Sequence, residues 1–310
     1  MKKRITNIDA GEIDRARPAD RPPKSNWKLE MIKKSLRMVQ HISPDTASKV
    51  IWHFFTKPNR SKVTENQQQL INKAKISTSS YNGYKIVTYH WGNSGPKVLL
   101  SHGWNSKILD FRRMIEALLD HGYQVEGIDM KGHGLSDGKH TTIPEFRDLL
   151  KSHYLANGEY DTVIGYSLGG IAAGLMLSEL SSSIQPNNLF LIASPPYVHY
   201  FLRDIINEIG CNERVYTSFC RLFEKHFSEE VDYFDLRNKD ANLNAMNLHL
   251  IYDEHDETVK YARGEELQHA LSDAYFVHTK GLGHYKIITH HEVIEYVIHN
   301  MEKDISVTVG

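Results

Sequence analysis

The chain has 310 residues, 40% hydrophobic and 24% charged, enough to bury one large core with room for a smaller excursion. A formal net charge of −1 argues against a dedicated nucleic-acid binder. Two cysteines, Cys211 and Cys220, make neither a disulfide framework nor a metal cluster and fit a reducing, cytoplasmic compartment. The stretch free of Asp, Glu, Lys and Arg from Leu180 to Leu202 is broken by Pro186, Pro195 and Pro196, so it does not read as a membrane span.

Residues 1–25 are polar, carry Pro18, Pro22 and Pro23, and are expected to form a disordered arm. An N-terminal helical extension is expected over 26–72. Trp27, Met31, Ile32, Leu36, Val39 and Ile42 recur at helical spacing, and after Ser43-Pro44 so do Ala47, Val50, Ile51, Phe54 and Phe55. Two uses fit that apolar face. It can pack on the main domain, or, with Lys28, Lys33, Lys34, Arg37 and Lys49 beside it, residues 27–55 can make a peripheral membrane contact.

From residue 73 the period changes. Segments 74–78 and 84–89 read as a hairpin joined near Asn82-Gly83. Strands at 97–101, 123–129, 162–166 and 189–193 then alternate with helices at 111–121, from about Pro144, and after Ser167. Beyond residue 246 come strands at 248–252 and 275–279 and helices at 261–271 and 292–303. That alternation predicts an α/β core over 73–193 and 247–310, a mostly parallel sheet flanked by helices. The intervening residues, 194–246, hold nine aromatic residues at near-helical spacing. They are expected to form a helical cap inserted between late strands, lining a pocket with side chains such as Phe219, Phe223 and Phe227.

Within the core, Val163-Ile164-Gly165-Tyr166-Ser167-Leu168-Gly169-Gly170 passes from a β-branched run through G-x-S-x-G into a helical stretch. A serine on such a strand-to-helix turn is held in strained backbone with its hydroxyl clear of the sheet. The glycines let strand and helix approach closely. The N–H of Leu168, at the helix start, points where an oxyanion could form. A serine nucleophile needs an oriented base. His284, in Gly281-Leu282-Gly283-His284, sits in a loop directly after a strand, unlike the other histidines beyond Tyr252 (His255 of the acidic loop aside), which fall inside or at the start of helices and strands. The acid comes from Asp253-Glu254-His255-Asp256-Glu257, after the strand ending at Tyr252, and spacing alone does not choose among its carboxylates.

Ser167, this acidic loop and His284 follow in the order Ser…Asp…His, which resembles the α/β-hydrolase superfamily, in particular its bacterial esterase-like and monoacylglycerol-lipase-like members. The likeness covers about residues 73–301. His102-Gly103-Trp104 resembles the superfamily's H-G-x oxyanion loop, which implies that the Trp104 N–H is the second oxyanion donor beside Leu168. Asp129-Met130-Lys131-Gly132-His133-Gly134-Leu135-Ser136 is similar to its D-x-x-G-H-G-x-S turn, and is taken as structural. Asp256-Glu257-Thr258-Val259 matches its D-x-x-V, which assigns the acid to Asp256. The resemblance implies a serine hydrolase acting on small acyl esters, including lipid-like ones, with no metal or cofactor. Thioesterase, peptidase and acyltransferase activities use the same three residues, and a non-catalytic ligand-binding member of the fold is a further alternative.

Overall fold

The computed structural model describes residues 5–9 and 27–308. Much of the arm expected over 1–25 lies outside these residues. Its residues 5–9 do not fit that expectation, because they form a strand, β1 (Ile5–Asp9).

In chain order α1 (Trp27–Ile42), α2 (Pro44–Phe55) and α3 (Glu65–Asn72) come next. Ser43 caps α2 by accepting the Thr46 N–H, with Pro44 in the first turn where no N–H is needed. Thr64 and Gln67 close a reciprocal capping box on α3. β2 (Lys75–Tyr81) and β3 (Tyr84–Trp91) form the hairpin, and Asn82 and Gly83 both have positive φ (49° and 80°), as a two-residue primed turn requires. Then follow β4 (Lys97–Ser101), α4 (Arg112–Asp120), β5 (Gln124–Asp129), α5 (Ile143–Asn157), β6 (Thr162–Tyr166), α6 (Leu168–Ser178) and β7 (Asn188–Ile192). The chain continues through α7 (Val198–Ile209), α8 (Glu213–Phe227), α9 (Asp240–Leu243), β8 (Asn247–Asp253), α10 (Tyr261–Ala270), β9 (Tyr275–Lys280), α11 (Gly283–Lys286) and α12 (His291–Thr308).

These elements fall into two compact units. The first comprises residues 5–9, 58–196 and 236–308 and holds one nine-stranded sheet, ordered β1-β9-β8-β7-β6-β4-β5-β3-β2. Among the described strands only the β2–β3 and β3–β5 pairs are antiparallel. Every residue of β6 and β7 is buried, which is why both read as unbroken apolar runs. α6 is buried along its whole length, packing on β4, β6 and β7 with α5 beside it. The strand order turns back on itself at β4, which lies between β5 and β6. In an open parallel sheet that reversal opens a crevice at the strands' carboxyl ends.

The second unit comprises residues 27–57 and 197–235. α1 and α2, whose apolar face could pack on the main domain or meet a membrane, share a core with the inserted α7 and α8. Trp52 of α2 packs its ring against Phe219, Phe223 and Phe227 of α8, and Phe55 packs against Phe201 and Phe219. Phe219 and Phe223 are buried there, in the unit's own core. The extension drawn over 26–72 is also not one piece. α3 belongs to the first unit, where the Gln67 amide donates to Leu109 O and Asp110 Oδ1. Among the described residues no helix is long and apolar enough to cross a membrane.

Candidate active site

Ser167 joins β6 to α6 with φ 52° and ψ −127°, a left-handed conformation that costs a non-glycine residue about 1–3 kcal/mol. The surroundings enforce it. Ser167 N–H donates to Ile192 O of β7 at 2.9 Å, and the helix starts one residue later. A Cβ on Gly169 would lie 2.4 Å from the carbonyl oxygens of Ser101 and His102, and one on Gly165 would lie 2.5 Å from Gly170 Cα. Both glycines of the motif are therefore required for closure of the turn.

His284 arrives from the carboxyl end of β9, three strands from β6 in the sheet and at the same edge. β9 ends at Lys280, Gly281 (φ 87°) and Gly283 (φ 59°) reverse the chain, and His284 stands in the one-turn helix α11 rather than in an open loop. Its Nε2 is 3.1 Å from Ser167 Oγ and its Nδ1 is 2.7 Å from Asp256 Oδ2. A carboxylate can only accept, so Nδ1 carries the proton and Nε2 presents its lone pair to the serine hydroxyl. Ser167, Asp256 and His284 are all buried. The Tyr166 hydroxyl donates to His284 O at 3.0 Å and its ring lies 5.1 Å from the imidazole, so the strand before the serine also holds the histidine. Burial, with Tyr285 and Asp256 nearby, pushes the Tyr166 phenol up, and it stays a neutral donor.

Three of the acids left open by spacing have separate fates. Asp256 takes His284 on one oxygen and the N–H groups of Thr258 and Val259, both at 2.8 Å, on the other. Glu254 is exposed and faces Lys280 at 3.2 Å. Asp253 is buried and saturated. Oδ1 accepts from His255 N and Gly283 N at 2.9 Å, and Oδ2 accepts from Thr279 Oγ1 at 2.7 Å and Leu282 N at 3.0 Å. It ties the end of β8 to the two residues preceding His284. Sequence reasoning weighed Asp253 only as a rival acid. Its signal was a carboxylate ending an otherwise apolar strand, which burial obliges to find donors.

The His102-Gly103-Trp104 loop follows β4, next to β6 in the sheet, and passes close to the elbow. A Cβ on Gly103 would lie 2.8 Å from Ser167 Cβ and 3.3 Å from its Oγ. The backbone before Trp104 is thereby brought against the serine. On the far side Leu168 provides the first N–H of α6, where N–H groups lack intrahelical acceptors.

A family model described as serine aminopeptidase, S33, matches residues 93–201, a stretch that includes Trp104 and Ser167 but ends before Asp256 and His284. Among solved structures the chain is similar to an esterase of Pyrococcus furiosus at 24% identity and TM-score 0.59, over 80% of this chain and 97% of that one. It is similar to an esterase of Exiguobacterium antarcticum at 17% identity and TM-score 0.56, over 74% and 99%. A thioesterase domain from the curacin biosynthetic pathway matches at 15% identity and TM-score 0.52, over 74% and 98%. No curated protein matches the chain. The chain has the α/β-hydrolase fold.

In this fold the turn after β5 braces the His102-Gly103-Trp104 loop from behind. Asp129 is buried, and its carboxylate accepts from Tyr89 OH, Ile108 N and Leu135 N at 2.8–3.0 Å. Arg60 holds the same turn from outside, its guanidinium donating to the carbonyls of Gly132, Gly134, Ser136 and Gly138. His102 donates from Nδ1 to Gly103 O at 2.8 Å and accepts the Met130 N–H on Nε2 at 3.0 Å, so the neutral ring links the two loops. Burial pushes its pKa down, with the Asp129 charge opposing. Burial, aided by the nearby His102, pushes His133 down to about 2. The His133 ring lies edge-on to Trp104 at 5.4 Å, with Phe146 against both. Among the described residues no group of three or more His, Cys, Asp or Glu could hold a metal ion.

Proposed function

We propose that this protein is a serine hydrolase that cleaves carboxylic esters, lipid-like acyl esters included, through an acyl-enzyme. The observation that carries the reading is the unbroken relay Asp256–His284–Ser167, at 2.7 and 3.1 Å, assembled from turns after three different strands. His284 Nε2 takes the hydroxyl proton as Ser167 Oγ attacks the acyl carbonyl, and Asp256 stabilises the imidazolium through Nδ1–H. The tetrahedral oxyanion is met by the N–H groups of Trp104 and Leu168, each worth about 3 kcal/mol of barrier. His284 then gives its proton to the departing alkoxide. In the second half a water attacks the acyl carbonyl, its proton goes to His284, and Ser167 leaves with that proton restored. The esterases among the structural neighbours support an ester as substrate.

The test is turnover of p-nitrophenyl acyl esters, with a fluorophosphonate that phosphonylates Ser167 in the native chain and not in Ser167→Ala. Labelling on another serine would remove the mechanism. The aminopeptidase description of the matched family supports amide cleavage as a second reading. An aminoacyl p-nitroanilide turned over faster than any ester would favour it.

A further inference from the structure

α1 carries two apolar stripes, one buried inside the second unit and one exposed. Leu36 is buried, and Gln40 beside it bonds to Gly210 O and accepts the Asn212 N–H at 2.7 Å. Arg37 Nε donates to Ile209 O, and Lys33 pairs with Glu208 at 2.9 Å. These bonds to the end of α7 fix how the helix is rotated about its axis. The opposite side then carries Trp27, Met31, Met38 and Ile42, which are 65%, 58%, 71% and 87% exposed. At 100° per residue these four positions fall within an arc of about 60°, a single line along the helix. Scattered apolar side chains on a surface need no explanation. Four of them aligned, two methionines, an isoleucine and a tryptophan at the helix start, form an organised apolar edge.

We infer that this edge of α1 is a docking surface for an anionic lipid membrane, on which the helix lies parallel to the bilayer plane. The charge around it selects the occupant. Residues 27–57 contain six Lys and Arg against two Asp and Glu, and Lys34, Arg37, His41 and Lys49 are exposed. A second copy meeting the same edge would set this positive charge against itself, whereas phosphate headgroups neutralise it. A helix lying in the interface buries its apolar face about 5–10 Å into the headgroup–acyl boundary, and tryptophan favours that boundary. The inference stands independently of the chemistry proposed for Ser167.

The test is co-sedimentation of the full chain, carried as Ser167→Ala so that no lipid is consumed, with vesicles of phosphatidylcholine and phosphatidylglycerol. The protein is expected to pellet with these vesicles at low salt, to be released as salt is raised, and to stay in solution with phosphatidylcholine alone. The double variant Met38→Ser, Ile42→Ser should bind about tenfold more weakly or worse, because it removes two of the four side chains that enter the lipid. Both positions are exposed, and an unchanged circular dichroism melt would show the fold is kept. Lys34→Glu with Lys49→Glu should flatten the salt dependence. Native protein that stays in the supernatant with anionic vesicles, or a double variant that pellets equally, overturns the inference. So does a chain that sediments as a dimer, ignores vesicles and becomes monomeric in the double variant, since a second copy would then own the edge.

Discussion

Asp256 holds His284 with one oxygen and its own turn with the other. Oδ2 lies 2.7 Å from His284 Nδ1, and Oδ1 accepts from Thr258 and Val259 N–H at 2.8 Å. A carboxylate fixed on both sides presents one acceptor in one direction, which selects the imidazole tautomer that can act on Ser167. Asp256→Asn can turn an N–H₂ towards Nδ1 and favour the other tautomer. We expect kcat to fall about 10⁴-fold, with KM little changed, in steady-state ester hydrolysis.

Asp253→Asn should behave differently. Four donors converge on this carboxylate, three of them backbone N–H groups, and an amide can accept on only one of its two heteroatoms. The residues before His284 then lose an anchor, and kcat should drop about 10²-fold through misplacement of the imidazole. Glu254→Gln, at an exposed position, should stay within about twofold of the native rate. A loss at Asp253 larger than that at Asp256 would reverse the assignment of the acid.

Ser167→Ala and His284→Ala should each cost about 10⁶ in kcat, and the double variant little more, because the two act as one unit. Additive losses would mean that they act separately. Thermal melts of the single variants should remain close to native.

Stability should fall as the pH drops below about 6.5. His133 is pushed down to about 2 in the folded protein, so below 6.5 the unfolded chain binds a proton that the folded one does not. The stabilisation is complete above the unfolded value and is lost on acidification. Between pH 6.5 and 5.5 such a group removes about 1 kcal/mol. Urea titrations of His133→Gln should show an acid loss smaller by that amount, and an unchanged slope would mean that His133 is not the titrating group.

Glu126 should add to the acid sensitivity at lower pH. Burial raises its pKa, but contacts to His153 and His90, the latter at 3.1 Å, outweigh it and hold the carboxyl well below the usual range. Its contribution is present above an unfolded value of about 4.3 and is lost as the pH falls through the folded value. Glu126→Gln should cost about 1–3 kcal/mol at neutral pH, and the gap to native protein should narrow in acid. A gap that widens in acid would contradict the arrangement.

Phe219→Ala tests the second unit. Phe219 is buried against Trp52 and Phe55, so truncation should cost about 3–5 kcal/mol of that unit's stability. A loss below about 1 kcal/mol in calorimetry would mean that the packing is looser than described.

The alternation of buried strands and helices, the Asn82-Gly83 hairpin and the serine elbow are local in origin. Periodicity, β-branched runs and glycines at required positions express them within a few residues, so sequence alone was enough. Fine choices depended on neighbours far along the chain. Asp253, Glu254 and Asp256 are chemically alike within four positions, and only the approach of β9 separates an acid facing His284 from one that anchors its loop and one that faces solvent. The strand at Ile5–Asp9 draws its hydrogen bonds from β9, some 270 residues later, so no local pattern announces it. The aromatics of α8 found Trp52 and Phe55 as partners because hydrophobic burial is non-directional, and the same spacing would have suited a pocket wall. For α1 the sequence held apolar residues enough for two faces. Which face turned inward was decided by the bonds of Arg37 and Gln40 to the end of α7, a contact that exists only once the chain has folded.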